Sequence, residues 1–139
     1  MTTPTIRHER MSDIFHKFHI ENFGVNAVLH QFDKPEPIDA DAHDHPGDFR
    51  TFIMDGSYVE RVWHFWRDSW HYQDIHRKKG SSHFVRATHI HQIVELPDGP
   101  CKTIILPGPV VRKSGFWRFE NGIASFREWN QQEFKQVGI

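Results

Sequence analysis

Cysteine is scarce in this sequence, since Cys101 is alone among 139 residues. A single cysteine excludes an internal disulfide framework and a cysteine-based zinc site, and it fits a reducing cytoplasm. Long hydrophobic runs are also missing, because no apolar stretch approaches the roughly 20 residues of a membrane span. The first residues lack the apolar segment of a secretory signal. These absences predict a soluble, cytoplasmic protein that makes no membrane contact.

Net charge is small as well: 17 basic and 18 acidic side chains leave −1, and the sequence pI is about 6.9. Without a positive surplus a protein has no strong electrostatic grip on nucleic acid, so no nucleic-acid partner is predicted. The sequence is rich instead in histidine, with twelve residues, and in aromatic side chains, at 14%. Five Trp and twelve Phe can supply the volume of one hydrophobic core.

Short strand-like segments alternate with turn residues along most of the chain, at a spacing of roughly ten residues. Dipeptides such as Asp55-Gly56 and the prolines and glycines near residues 97–100 and 107–109 end these segments. Many short strands at this spacing are typical of an all-β sandwich or barrel. The predicted strands lie within residues 26–32, 50–54, 57–66, 83–96, 101–106, 110–119 and 125–129. The stretch from 67 to 74 is polar and is not assigned to a strand.

The two ends of the chain carry weaker patterns. Residues 1–20 are predicted to form an N-terminal tail or a short helix that starts after Ser12 and Asp13. Residues 21–139 are predicted to form a single domain, in keeping with the length of the chain. Its last ten residues, 130–139, are predicted to be a short helix or a tail.

The segment AHDHPGDF, residues 42–49, places His43 and His45 one residue apart. On a strand such residues point to the same side, about 6.5–7 Å apart, and one metal ion can bond both rings at roughly 2.0–2.1 Å. Polar rings inside a barrel need a partner, and a metal ion is one such partner. A third ligand must then come from elsewhere in the chain.

The histidine spacing resembles the first of two motifs of the cupin superfamily. That motif has a glycine, five residues, His-any-His, three or four residues, a glutamate, six residues and a second glycine. His43, His45 and Gly56 match, while Pro37 replaces the first glycine and Phe49 the glutamate.

The second cupin motif is matched by a later stretch of the chain. Gly80 opens it and His91 falls on its histidine position, whereas Arg86, Thr88 and Glu95 replace its proline, glycine and asparagine. The chain is most similar to small, uncharacterised cupins with HDHPWDF-like and HRVEL-like segments, which read HDHPGDF and HQIVEL here.

This resemblance implies a cupin-type jelly-roll β-barrel that binds a divalent metal through His43, His45 and His91. It favours Fe(II), with zinc, manganese or nickel as alternatives. The missing glutamate leaves two arrangements open. Asp48 joins the site if Pro46-Gly47 introduces a bulge, or the site has three histidines only, and strand alternation favours the second.

A three-histidine site resembles the thiol dioxygenases, which are cupins that hold Fe(II) with three histidines, although their crosslinking cysteine has no counterpart near Arg50. The resemblance implies a dioxygenase-type oxidoreductase acting on a small molecule in the barrel. The alternative is a non-catalytic cupin that binds or senses a small ligand. No catalytic residue is assigned from the sequence, and it leaves open whether the protein is an enzyme.

Other side chains have more than one interpretation. His89 is a substitute ligand, lies beside the site or is exposed, Glu95 orients the His91 ring or is exposed, and His30 is predicted to be a core histidine rather than a ligand. The aromatic stretch 62–72 is predicted to be a core hairpin or an oligomer contact, such as that of a homodimer, and stacking on a base or ring substrate is the alternative. The basic residues of the C-terminal half are predicted to be solvated, unless one holds a substrate carboxylate: Arg112, Lys113 and Arg118.

Overall fold

The computed structural model describes residues 3–138. Within that range the regular elements are all β-strands, with no helix among them, and the strands pair antiparallel throughout. They are β1 (Thr5–Arg10), β2 (Phe15–Glu21), β3 (Ala27–Phe32), β4 (Ala42–His43), β5 (Phe49–Asp55), β6 (Tyr58–Trp66), β7 (Ser69–Arg77), β8 (Ser82–Val85), β9 (Ile90–Glu95), β10 (Cys101–Pro107), β11 (Gly115–Glu120), β12 (Ile123–Glu128) and β13 (Lys135–Gln136). In residues 3–138 we find no helix long and apolar enough to cross a membrane.

The strands form two sheets that enclose the core. One sheet has the order β1-β2-β3-β10-β5-β8 and the other β13-β12-β11-β4-β9-β6-β7. Ile53 and Cys101 from the first sheet pack with Tyr58 and Ile93 from the second. The Cys101 thiol is fully buried, and burial raises its pKa to about 11, so it is an inert part of the core.

The N-terminal segment differs from the prediction. Within its described part it is neither a tail nor a helix but the hairpin β1–β2, and β2 pairs with β3 from Phe15 to Ile20. The Ser12 hydroxyl accepts a hydrogen bond from the Ile14 amide at 3.2 Å and so stabilises a turn, where the sequence suggested a helix cap. Met1 and Thr2 lie outside the described residues. The domain boundary between residues 20 and 21 stays a prediction.

The polar stretch after the aromatic segment also differs from the prediction. Residues 69–77 form β7, which pairs with β6 along its whole length across a turn with positive φ at Arg67 (49°) and Asp68 (65°). Two consecutive positive φ values match the twist of a tight hairpin. Strand β7 lies at the edge of its sheet, where its side chains face solvent and can be polar. Because the sequence lacks apolar alternation there, the composition did not predict a strand.

Three further predictions about the strands need correction. The predicted strand 83–96 is divided by a turn at residues 86–89 into β8 and β9, which lie in different sheets. Strand β11 begins at Gly115, so residues 110–114 precede it. The predicted C-terminal helix or tail contains the short strand β13, which pairs with β12, and Ile139 is outside the described residues.

Candidate metal centre

The three predicted metal-binding histidines lie together. Strand β4 runs between β9 and β11, and this pairing sets His43 directly opposite His91. The strand ends at His43, and His45 is held just beyond it because its amide donates to the Ala87 carbonyl at 3.0 Å. The ring centroids are 4.7–5.3 Å apart, and one ring nitrogen from each histidine lies within 4.8 Å of the others.

The donor set fits a metal ion. Tetrahedral ligands bonded to one ion at about 2.0–2.1 Å lie roughly 3.4 Å apart, so the three nitrogens would need to approach by at most about 1.4 Å through side-chain rotation to hold one ion. Nδ1 of His45 is buried and has no hydrogen-bond partner among the described residues. A buried polar atom without a partner is costly, and a bound ion or water would satisfy it.

Burial also favours the neutral imidazoles that a metal requires. Burial, and after it the charges of His91 and His89, holds the pKa of His43 well below its ordinary value. The pKa of His45 is lowered by burial and by His91. Burial lowers the pKa of His91 too, although its hydrogen bond to Glu60 opposes the shift.

Glu60 is a buried carboxylate behind His91 that the sequence interpretation missed. Its side chain is 0% exposed, and it accepts hydrogen bonds from His91 Nδ1 (3.0 Å), His89 Nε2 (2.7 Å) and Arg77 Nε (2.7 Å). Burial raises the pKa of Glu60, but these hydrogen bonds outweigh burial and hold it below its ordinary value. The contact occupies Nδ1 of His91 and leaves Nε2 for a metal ion.

The two residues that the sequence placed near His91 have different positions. Glu95 is exposed on β9, so the ring-orienting contact comes from Glu60 instead. His89 packs against Glu60, and Glu60, His89 and His91 form a second group whose ligand atoms lie within 4.8 Å of one another. A glutamate at the inward-facing position 60 between Tyr58 and Val62 was the available sequence signal.

Asp44, between the two motif histidines, fixes the segment in place. Its carboxylate is 4% exposed and accepts hydrogen bonds from the Gly115 amide (2.7 Å) and Trp117 Nε1 (3.0 Å). It also pairs with Arg112 at 2.9 Å. Arg112 is therefore part of this clamp, which corrects its prediction as a solvated residue.

The other two basic residues considered from the sequence are exposed and do pair at the surface. Arg118 Nε lies 2.7 Å from Asp41 Oδ1, and Lys113 Nζ lies 3.7 Å from Glu128. Neither residue contributes to the cavity beside the histidines.

The carboxylate that the sequence considered as a fourth ligand is engaged elsewhere. Asp48 Oδ1 accepts a hydrogen bond from the Ala87 amide at 2.7 Å, and Asp48 is absent from the three-histidine group. The next residue, Phe49, is the one that contacts the histidines, since its ring centroid lies 4.9 Å from that of His45. Residues 44–48, which include Pro46-Gly47, lie outside the strands and lead from β4 of one sheet to β5 of the other, and the Ala87 contact keeps Asp48 out of the histidine group.

We expect Asp48→Asn to weaken metal binding less than His91→Ala does. Asparagine keeps an oxygen that can accept from the Ala87 amide, so the loop should hold its position. Titration of Fe(II) and Zn²⁺ into metal-free protein measures both variants against the wild type. An equal loss of affinity in the two variants would show that Asp48 binds the ion.

Glu36, which precedes β4, is a second carboxylate that the sequence interpretation did not identify. Its Oε1 lies 3.9 Å from His43 Nδ1, and its Oε2 accepts from the Ile93 amide at 3.1 Å. Burial raises the pKa of Glu36 to about 7, with the Ile93 hydrogen bond acting against the shift. Only the fold brings this residue from a polar loop to the histidines.

The histidines open onto a cavity of about 600 Å³ between the two sheets. A volume of this size is typical of small-molecule sites. Its walls come from both sheets and the segments beside them, and they carry both apolar and polar side chains. The apolar side chains that line it include Met11, Ile14, Phe15, Val28, Phe32, Phe49, Ile93, Ile105 and Val110.

His30 lies in the cavity wall, where its ring meets Phe15 edge-on at 5.0 Å between centroids. Burial lowers the pKa of His30 to about 3, with the charge of Lys17 acting in the same direction. The sequence prediction of a core histidine agrees with this position, since His30 is not part of the three-histidine group.

We expect His30→Phe to make the metal-free protein less sensitive to acid. Because the folded-state pKa lies below the ordinary 6.5, the unfolded chain binds more protons between pH 6.5 and about 3. As the pH is lowered through that window, the free energy of unfolding of the wild type should therefore fall relative to that of the variant by up to about 1.4 kcal/mol per pH unit. Urea unfolding at pH 4–8 measures this, and a difference that does not change with pH would contradict the lowered pKa.

Comparison with known proteins identifies the fold. No protein-family model matches the sequence, and no curated protein matches it. The hydroxypropylphosphonic acid epoxidase from S. wedmorenis matches with a TM-score of 0.59 at 15% identity, over 78% of this chain and 58% of that one. A structure of the Fe(II) form of this epoxidase, abbreviated HppE, with the alternative substrate (S)-1-HPP matches with a TM-score of 0.55, also at 15% identity. The match covers 76% of this chain and 56% of that one.

A plant 7S globulin from Momordica charantia has the same architecture, with a TM-score of 0.60 at 9% identity, over 83% of this chain and 36% of that one. This chain therefore spans less than two thirds of each of these proteins. The shared architecture is the cupin-type jelly-roll β-barrel, which confirms the fold class predicted from the histidine motifs. At these identities the likeness concerns the fold alone.

Proposed function

We propose that the protein is a metal-binding cupin in which His43, His45 and His91 hold one divalent ion. The observation that carries the proposal is the convergence of three ring nitrogens within 4.8 Å at the wall of a cavity. The neighbouring HppE structures include Fe(II) and Co(II) forms, which supports a first-row divalent metal. We favour Fe(II), with zinc, manganese and nickel as the alternatives, and imidazole ligands suit iron, zinc and nickel.

The reaction we propose is oxygenation of a small organic molecule in the cavity. Bound Fe(II) would supply the redox chemistry for activating O₂. The three histidines leave coordination positions open toward the cavity. Apolar walls such as Phe15, Phe32 and Ile105 exclude water and hold the substrate's apolar part. Glu60 holds the His91 ring in the orientation that aims Nε2 at the ion.

A second candidate is a non-catalytic cupin that captures or senses a small ligand. The Asp48 and Asp44 carboxylates favour it, because both are held in hydrogen bonds and neither is placed as a free general base. For either function we propose a cytoplasmic location, a small-molecule partner and no nucleic-acid or membrane partner. A homodimer through the aromatic hairpin β6–β7 accompanies the proposal, since Trp66 and Tyr72 are exposed there.

Metal analysis of protein purified without an affinity tag tests the metal centre. We expect about one ion per chain, and loss of that ion when either His43 or His91 is replaced by alanine. Oxygen uptake by the Fe(II)-loaded protein with a panel of small molecules then separates the two functions. Uptake that depends on one compound supports the enzyme, whereas metal binding without uptake for any compound supports the ligand-binding module.

A further inference from the structure

We propose that the cavity takes a small organic anion and that the Lys17 ammonium binds its acidic group. The inference names the substrate class of the same site and so rests on the proposed function. It concerns a residue of β2, on the wall formed by the other sheet.

Lys17 lies on the inward face of β2. Phe15, Lys17 and His19 alternate along the strand and all line the cavity. Lys17 stands opposite His30 of β3, which also lines the cavity, and its Nζ is 6.0 Å from the centre of the Phe15 ring. Lys17 is half-buried, and a charged group taken out of water is unfavourable unless a partner compensates it.

No partner for this ammonium is present among residues 3–138. Its Nζ forms neither a hydrogen bond nor an ion pair there, although Glu9 stands directly opposite on β1. The Glu9 carboxylate instead accepts from His19 Nε2 at 2.8 Å. Lys17 therefore has three donors available to a molecule in the cavity.

The acidic groups of the cavity wall are, in contrast, already occupied. Asp44 is bound to Arg112, Asp48 to the Ala87 amide, and Glu36 to the Ile93 amide. A divalent ion held by three neutral imidazoles would add positive charge that its ligands do not cancel. Together with Lys17 and Lys34, the two lysines of the cavity wall, such an ion would favour an anionic ligand.

The remaining walls determine the rest of the ligand. Val28, Phe32 and Ile105 line the same cavity as Lys17 and the histidines and present apolar surface to it. A compact hydrophobic body of a few carbon atoms or one aromatic ring would bury against them in the 600 Å³ available. The ligand class is therefore a small carboxylate or related acid with an apolar body.

A matched pair of compounds tests the subsite: 3-phenylpropionate and 3-phenylpropanamide, which have similar size and differ in charge. Binding of both to the metal-free full chain is measured by calorimetry at pH 7.5. We expect the wild type to bind the acid at least about tenfold more tightly than the amide, as a charge-assisted hydrogen bond does. Lys17→Met, which keeps the unbranched stem, should abolish that preference, and Lys17→Arg should retain it.

Lys79→Met is the control, because Lys79 pairs with Asp55 outside the cavity and should leave the preference unchanged. Equal binding of acid and amide by the wild type, no binding of either compound up to 10 mM, or a preference that survives in Lys17→Met would each overturn the proposal. Zinc content of Lys17→Met, expected to equal that of the wild type, reports separately on the histidine site. Loss of zinc binding in the wild type itself would instead contradict the metal centre.

Discussion

His91→Ala is expected to remove metal binding from the three-histidine cluster while the two-sheet fold remains. Residues that only orient a ligand typically contribute about 10–100-fold to metal affinity, so loss of a ligand itself should exceed about a hundredfold. The fold should survive because the core formed by Ile53, Tyr58, Ile93 and Cys101 does not include the histidine. A zinc finger, which is unfolded without its ion, would behave differently.

The measurement is Zn²⁺ and Fe(II) titration, with circular dichroism and thermal unfolding of the metal-free variant to establish its fold. His76→Ala is the matched control, since His76 is exposed on β7, and it should bind metal as the wild type does. If His91→Ala retained wild-type affinity with a cooperative unfolding transition, His91 would not be a ligand.

Replacing Glu60 should produce the largest combined loss of stability and affinity outside the ligands. Glu60→Ala leaves Arg77 without its buried partner and the Nδ1 donor of His91 unsatisfied. We expect a loss of about 2–4 kcal/mol in the free energy of unfolding. The loss should be smaller than for a fully buried ion pair, because Arg77 is 26% exposed and water can solvate it.

Glu60→Gln tests the effect on metal binding with little change in volume. The glutamine amide keeps one acceptor oxygen, but its NH2 group would replace an oxygen that now accepts hydrogen bonds from Arg77, His89 or His91. The orientation of His91 should therefore loosen, and metal affinity should fall by about tenfold or more. Urea unfolding and Zn²⁺ titration measure the two effects. Glu95→Gln, at an exposed position of β9, is the control and should change neither. Wild-type affinity in Glu60→Gln would limit Glu60 to a structural role.

The candidate ligands were predictable because their spacing depends on local geometry. Two residues of separation put His43 and His45 on the same side, and the motif placed His91 on a second strand. The prediction that Asp48 is not a ligand agrees with its hydrogen bond to the Ala87 amide, although Asp48 lies outside the strands and its position was not set by strand alternation. The strand pattern likewise predicted the all-β class, because turn dipeptides and apolar alternation are local features.

The sequence by itself determined the fold class and the three histidines that the structure brings together. Only the tertiary structure decided which residues surround them: Glu60 behind His91, Glu36 beside His43, the Asp44–Arg112 clamp and Lys17 on the facing wall. Their partners lie between 7 residues away in sequence, for Glu36 and His43, and 68 residues away, for Asp44 and Arg112, and they meet through strand pairing and sheet packing. A buried carboxylate and a solvated one look alike in a sequence, because the difference between them is the desolvation and the donors that the fold supplies.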